Sequence, residues 1–372
     1  METSILVVGD VHVKLDNLLE IQTLEQRLVQ AIETHRPDLF VFLGDVLHTH
    51  ERVHTNCLNQ AAQLFRAVSA RVPTYVLVGN HDYISNSQFL SDHHWMNPFK
   101  QWPNLTIVDR VMDVQHHEHR LVMCPYVPDG RFVEALETLG AAPLVSSESL
   151  EPSDLSATSE PSDPSDLSVS SVPRWRSADM IFAHQTLDGV KMGMTIADGV
   201  ETWRAEYPYC CSGHIHDRQT VAPNLYYCGT PMPHAFGESN DKTVSLYRLG
   251  SVRSHLELRL DVCTKRIEYL TLAEAQLLHI EPKPHQQIRL TVKASPEEAR
   301  AFKRSEKYRQ LVQLGVKIVL DDKVETVVHA VRKPFEAWLL DGVKDSSAAF
   351  WYRRLVGRIE TDPDVVFDET FI

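Results

Sequence analysis

Four apolar runs that stop abruptly set the layout of this chain. Ser4-Ile5-Leu6-Val7-Val8 gives way to Gly9-Asp10-Val11-His12, and Leu39-Phe40-Val41-Phe42-Leu43 to Gly44-Asp45. Tyr75-Val76-Leu77-Val78 gives way to Gly79-Asn80-His81-Asp82, and Met180-Ile181-Phe182-Ala183 to His184. Short apolar runs bounded by turn formers predict buried strands. Between the first three, apolar residues recur at helical spacing over 18–32 and 58–68, and strands separated by helices pair in parallel. Over 105–124 and 225–270 the strands follow one another closely, with alternation such as Leu256-Glu257-Leu258-Arg259-Leu260, which predicts antiparallel additions. An α/β fold with two facing sheets and helices outside satisfies both halves. Beyond Lys283 a strand at 287–292, a helix at 296–314 capped by Ser295, and a strand at 317–320 predict a small αβ module.

Composition divides the chain further. Its 372 residues suffice for two folded units. The expected boundaries are 1–142 and 174–280 for one discontinuous domain, 281–325 for the αβ module and 326–372 for a helical end. Residues 143–173 are serine-rich and carry six acidic residues with no Lys or Arg. Such a segment cannot build a core and predicts a disordered insertion. No apolar run of about 18 residues and no leader pattern occurs, so neither a membrane span nor secretion is expected, and the location is expected to be intracellular, in cytoplasm or nucleus. The six cysteines lack Cys-x-x-Cys spacing and read as reduced thiols. Net charge is −13, yet residues 283–333 hold twelve Lys or Arg against six Asp or Glu. Lys303, Arg304, Lys307 and Arg309 place part of that excess on the predicted helix, where phosphate contacts are available to it.

The strand ends carry the chemistry. Asp10, His12, Asp45, Asn80, His184, His214 and His216 offer carboxylate, imidazole and amide ligands, a set that suits Mn2+, Fe2+ or Zn2+. Alternation in Gly213-His214-Ile215-His216 puts both imidazoles on one side of a strand end. Seven such groups can hold two divalent cations, with Asp45 the natural bridge between ions about 3.5–4 Å apart.

This ordered series of Asp-x-His, Gly-Asp, Gly-Asn-His-Asp, a solitary His and Gly-His-x-His resembles the calcineurin-like metallophosphoesterases. Gly229-Thr230-Pro231, Phe236-Gly237-Glu238 and His48 resemble the SbcD and Mre-eleven DNA-repair nucleases within them. The resemblance implies a four-layer α/β-β/α sandwich with a small αβ capping domain. It also implies one cation on Asp10, His12 and His216, a second on Asn80, His184 and His214, and most simply Mn2+ for both. Catalytic roles fall by resemblance to His81 as donor of a proton to the leaving sugar oxygen, to Asp82 as its orienting group, and to His48 as a substrate contact. The implied activity is a 3′-to-5′ DNA exonuclease and single-strand endonuclease. Its implied partners are DNA, an SMC-like ATPase docked on the C-terminal segment, and a second copy in a homodimer. The alternatives are a small-molecule or protein phosphoesterase of the same superfamily, and an inactive scaffold for the ATPase.

Overall fold

A computed structural model describes residues 2–50, 52–140, 173–281 and 283–321. The insertion up to residue 172 and the aromatic segment 326–372 lie outside them. The chain divides into two compact units, one of Met1–Glu268 with His279–Leu290 and Gln310–Ile318, the other of Tyr269–Leu278, Thr291–Arg309 and everything from Val319.

In the larger unit the elements run β1 (Thr3–Val8), α1 (Leu18–His35), β2 (Leu39–Phe42), α2 (Thr55–Ser69), β3 (Thr74–Leu77), β4 (Leu105–Val108), β5 (Met112–His116), β6 (His119–Met123), α3 (Phe132–Glu137) and β7 (Met180–Ala183). A short hairpin of β8 (Lys191–Met192) and β9 (Thr195–Ile196) follows, then β10 (Tyr209–Ser212), β11 (Gln219–Ala222), β12 (Leu225–Tyr227), β13 (Val244–Leu249) and β14 (Ser254–Leu258). Two six-stranded sheets result, ordered β14-β13-β1-β2-β3-β4 and β11-β12-β10-β7-β6-β5. Strand alternation builds the layers. Ile5, Val7, Leu39 and Val41 of the first sheet meet Leu121, Met123, Met180 and Phe182 of the second in one buried cluster. Their neighbours Leu6, Val8, Phe40 and Phe42 face Ile21, Leu24 and Leu28 of α1 and Leu64 and Phe65 of α2. The outer side of the second sheet is covered by the short α3 and by Trp175, Trp203 and Tyr207. This is the expected α/β class.

Two local expectations change. The strands after residue 105 are not all antiparallel additions: β4 runs parallel to β3, and β6 parallel to β7, with only β5 antiparallel beside it. The parallel crossover into β4 is made by an irregular connection with a 3-10 turn at Asn97–Gln101, which leaves no helical periodicity to read. The single helix expected over 296–314 is two, α5 (Pro296–Arg304) and α6 (Glu306–Gln313), and the remaining elements are β15 (Thr264–Thr271), α4 (Leu272–Leu277), β16 (Gln286–Lys293) and β17 (Lys317–Asp321), with β15-β16-β17 in one three-stranded sheet. Ser305 is extended at φ −70 and ψ 156 and its hydroxyl accepts from the Tyr308 N–H at 3.1 Å. It therefore caps a new helix start. Ser295 forms the expected cap, as a full capping box with Glu298. All six cysteines are free and buried. No helix among the described residues is long and apolar enough to cross a membrane.

Candidate metal centre

Parallel pairing aligns the C-terminal ends of β1, β2 and β3 in one sheet and of β7 and β10 in the other. The loops leaving those ends bring all seven predicted ligands together. His12 Nε2 lies 3.0 Å from His216 Nε2 and 3.6 Å from Asp45 Oδ2. His184 Nε2 lies 3.0 Å from Asn80 Oδ1, 3.2 Å from His214 Nδ1 and 3.4 Å from Asp45 Oδ1. Three groups stand close enough to hold a metal ion, Asp10 with His12 and His216, Asp45 with His184 and His214, and His12 with His48 and His81.

This convergence demands unusual backbone. His12, Asp45 and His214 sit at φ 45, 49 and 77, left-handed values that cost a non-glycine residue about 1–3 kcal/mol and collect at functional sites. The glycines make room. A Cβ on Gly79 would stand 2.2 Å from Asp45 Oδ1, and one on Gly213 would stand 2.7 Å from Asp10 Oδ1.

Electrostatics prepare the donors. Burial holds His12, His214 and His216 below their ordinary values, His214 at about 3, so their imidazoles are neutral and present lone pairs. Burial pushes Asp45 up, but His184, His12 and His81 outweigh it and keep the carboxylate charged well below its ordinary value. Burial likewise pulls His184 down, and the charges of Asp45 and Asp10 outweigh it to hold it at about 9. His184 Nδ1 donates to the Leu43 carbonyl at 2.8 Å, which aims Nε2 at Asn80 and Asp45. Asp10 Oδ1 accepts from the His214 N–H at 3.0 Å, while its buried Oδ2 has no hydrogen-bond partner. A carboxylate oxygen stripped of water without a donor is costly for a protein alone and suited to a cation. The donor set fits divalent metal ions.

The calcineurin-like phosphoesterase family model matches residues 3–218, more than half of the chain. The chain belongs to that family. Two relatives support the membership: "Putative phosphoesterase 078R" of Invertebrate iridescent virus 3 is 34% identical over 89% of this chain and 87% of its own length. "Putative phosphoesterase 244L" of Invertebrate iridescent virus 6 is 35% identical over 81% of this chain and 97% of its own length. Among solved structures, GAP50 of Plasmodium, titled the anchor in the inner membrane complex, aligns over 70% of this chain and 85% of its own at 11% identity and a TM-score of 0.39, too low for an argument to rest on it.

Within this calcineurin-like phosphoesterase, one expected role moves. The carboxylate of Asp82 does not orient His81. It accepts from the backbone N–H groups of Gly79, Val46 and Leu47 at 3.0, 3.3 and 3.2 Å and from the Trp95 indole at 2.9 Å, and so ties two ligand-bearing loops together. His81 is oriented instead by the His48 carbonyl, to which its Nδ1 donates at 2.8 Å, leaving Nε2 4.0 Å from Asp45 Oδ2. The ring of His48 stacks on His81 at 5.4 Å and lies 3.4 Å, nitrogen to nitrogen, from His12.

Two further histidines were missed by the motif reading. His50 stacks on His81 at 4.7 Å. His234 donates from Nε2 to the Asp10 carbonyl at 3.0 Å and packs 5.2 Å from the His12 ring. The only sequence signals were the alternation His48-Thr49-His50 and the adjacency of Pro233-His234 to Gly229-Thr230-Pro231.

Proposed function

We propose that this phosphoesterase is a two-cation DNA nuclease, most simply Mn2+-dependent, acting on DNA ends from the 3′ side and on single strands inside the cell. The observation that carries the reading is the His81 imidazole, outside the seven predicted ligands, fixed by the His48 carbonyl with Nε2 turned toward Asp45. A phosphodiester loses a poor alkoxide leaving group, and a positioned imidazole is the side chain suited to protonate it near neutral pH. Divalent cations, when bound, supply a Lewis acid and an activated water. Asp10, His12 and His216 would hold one, Asn80, His184 and His214 the other, with Asp45 facing both groups.

Several features support nucleic acid as the substrate. Lys265 donates to the His234 carbonyl at 2.8 Å, setting an ammonium group beside the centre, while the buried Lys242 holds the His216 carbonyl at 2.9 Å and pairs with Glu238 at 3.5 Å. The nuclease-like stretches also adjoin it. The Thr230 N–H donates to the His216 carbonyl at 3.2 Å, and Glu238 accepts from the N–H groups of His234 and Ala235, each at 3.0 Å. A polyanion suits that surroundings. The same centre would also serve a small-molecule or protein phosphoester, because the metal ligands do not choose a substrate. An idle scaffold would have no use for the unpartnered Asp10 oxygen. Docking of an SMC-like ATPase and homodimer formation remain parts of the proposal that rest on sequence resemblance.

The test incubates wild type and His81→Ala with end-labelled duplex and single-stranded DNA in Mn2+, beside a chromogenic diester. Degradation from the 3′ end that the variant loses supports the nuclease. Turnover of the small diester with DNA untouched assigns the chain to small-substrate phosphoesterases.

A further inference from the structure

Beside the metal centre, the β8–β9 hairpin carries apolar side chains into solvent. Lys191 pairs with Ile196 and Met192 with Thr195 across the two-residue loop Gly193-Met194, with Gly193 at φ 63. The base of the hairpin is anchored through Leu187, Val190 and Ala197 in the core outside the second sheet. Its outer half is not covered: Met192 is 42% exposed, Ile196 60%, and Met194 fully. Single exposed apolar residues are ordinary, but a cluster on a fixed support beside a reactive centre marks a contact surface.

The support is fixed by Gln219. Its side-chain oxygen accepts from the Lys191 N–H at 2.9 Å, and its amide donates to the carbonyls of Lys191 at 2.9 Å and Asp217 at 3.2 Å. The hairpin is thereby tied to the loop that carries His214 and His216. Between them lies a pocket of about 250 Å3 lined by Lys191, Met192, His214, Ile215, His216 and Asp217. That is below the roughly 300–1,000 Å3 of a drug-sized ligand site and fits one ring system. His214 and His216 also belong to two different donor clusters. The pocket therefore opens beside residues of both clusters, within reach of a substituent on a phosphate bound there.

We propose that the pocket and hairpin form a nucleoside subsite, in which the base next to the scissile phosphate lies against Met192 and Met194. The assignment deepens the nuclease reading and rests on it. Thioethers contact aromatic ring edges favourably and adapt to different rings, which suits sequence-tolerant base contact. Lys191 and Asp217 leave a donor and an acceptor for base edges.

The test uses Met192→Ser/Met194→Ser, two exposed positions outside the ligand set, in the full chain with Mn2+. Calorimetry compares thymidine 5′-monophosphate with inorganic phosphate, and kinetics compare thymidine 5′-p-nitrophenyl phosphate with methyl p-nitrophenyl phosphate. Wild type is expected to prefer the nucleotide over phosphate by about tenfold or more, and the variant to lose that preference while binding phosphate unchanged. The variant is likewise expected to raise KM about tenfold for the nucleoside diester alone. Equal preference in both proteins, or none in wild type, overturns the subsite. Failure of the phosphodiesterase reading has a different signature, namely no turnover of either diester while the nucleotide preference persists.

Discussion

Replacing Asp10 with Asn should stabilise the metal-free protein and weaken its stabilisation by metal. Asp10 is fully buried, and burial raises its carboxyl from 3.8 to about 7, against the opposing charge of His184 and with the charge of Asp45 adding to the rise. Because the folded value lies above the unfolded one, the fold favours the protonated acid. That contribution is intact below about pH 4 and is lost as pH climbs through 7. The loss amounts to about 4 kcal/mol by pH 8. Asp10→Asn removes the charge and keeps an oxygen for the His214 N–H, but its amide inherits the unpartnered position of Oδ2, which costs about 1–3 kcal/mol. His184 retains Asp45 at 3.4 Å as its counter-charge. The net expectation in EDTA at pH 8 is a variant about 1–3 kcal/mol more stable than wild type. Saturating Mn2+ narrows or closes the gap, since ligand at a hundred times its Kd adds about 2.7 kcal/mol to the protein that binds it. Urea unfolding followed by circular dichroism reads both conditions. A variant less stable than wild type in EDTA, or equally stabilised by Mn2+, would refute the argument that the charged Asp10 carboxylate is costly to the fold and is offset by a cation.

Three other outcomes follow from the same geometry. His81→Gln should lower kcat by about 10²–10⁴ on DNA and much less on a p-nitrophenyl ester, whose leaving group needs no proton; equal losses on both in steady-state assays would remove the proton-donor role. Gly79→Ala puts a Cβ 2.2 Å from Asp45 Oδ1 and 2.3 Å from its N–H nitrogen, so metal affinity measured by calorimetry should fall about tenfold or more, and an unchanged affinity would show that the loop yields freely. Lys100→Met strands Asp109, whose side chain is 6% exposed and accepts from Lys100 Nζ at 2.5 Å. Burial would raise Asp109, but His94 and Lys100 outweigh it and hold the carboxyl well below its ordinary value. The pair therefore stabilises above about pH 4 and loses its effect as pH falls. The variant should be about 1–3 kcal/mol less stable at pH 7, and the gap measured by urea unfolding should begin to narrow only as pH falls below about 4.

The convergence of the candidate ligands was legible because each stands where an apolar run must stop. Gly79 and Gly213 precede ligands because any side chain there would strike Asp45 or Asp10, so steric necessity at the centre appears in the chain as Gly-Asn and Gly-His. The alternation in β1 and β2 was equally legible, since Ile5 and Val7 face one layer and Leu6 and Val8 another. What escaped depended on groups distant in sequence. Asp82 looked like the partner of His81 by adjacency, yet adjacent side chains diverge where the backbone turns, and its acceptor atoms went to Val46, Leu47 and Trp95. His50 and His234 carry only the faint signals of alternation and adjacency, because the ring each meets is set by how separate loops stack. The parallel β4 hid behind a connection without a helix, and the break at Ser305 behind a periodicity that continues on both sides of it. Strand-end chemistry is therefore written locally and survives a reading without structure. The orientation of His81, by contrast, is written in a contact between the His48 carbonyl and a residue 33 positions away.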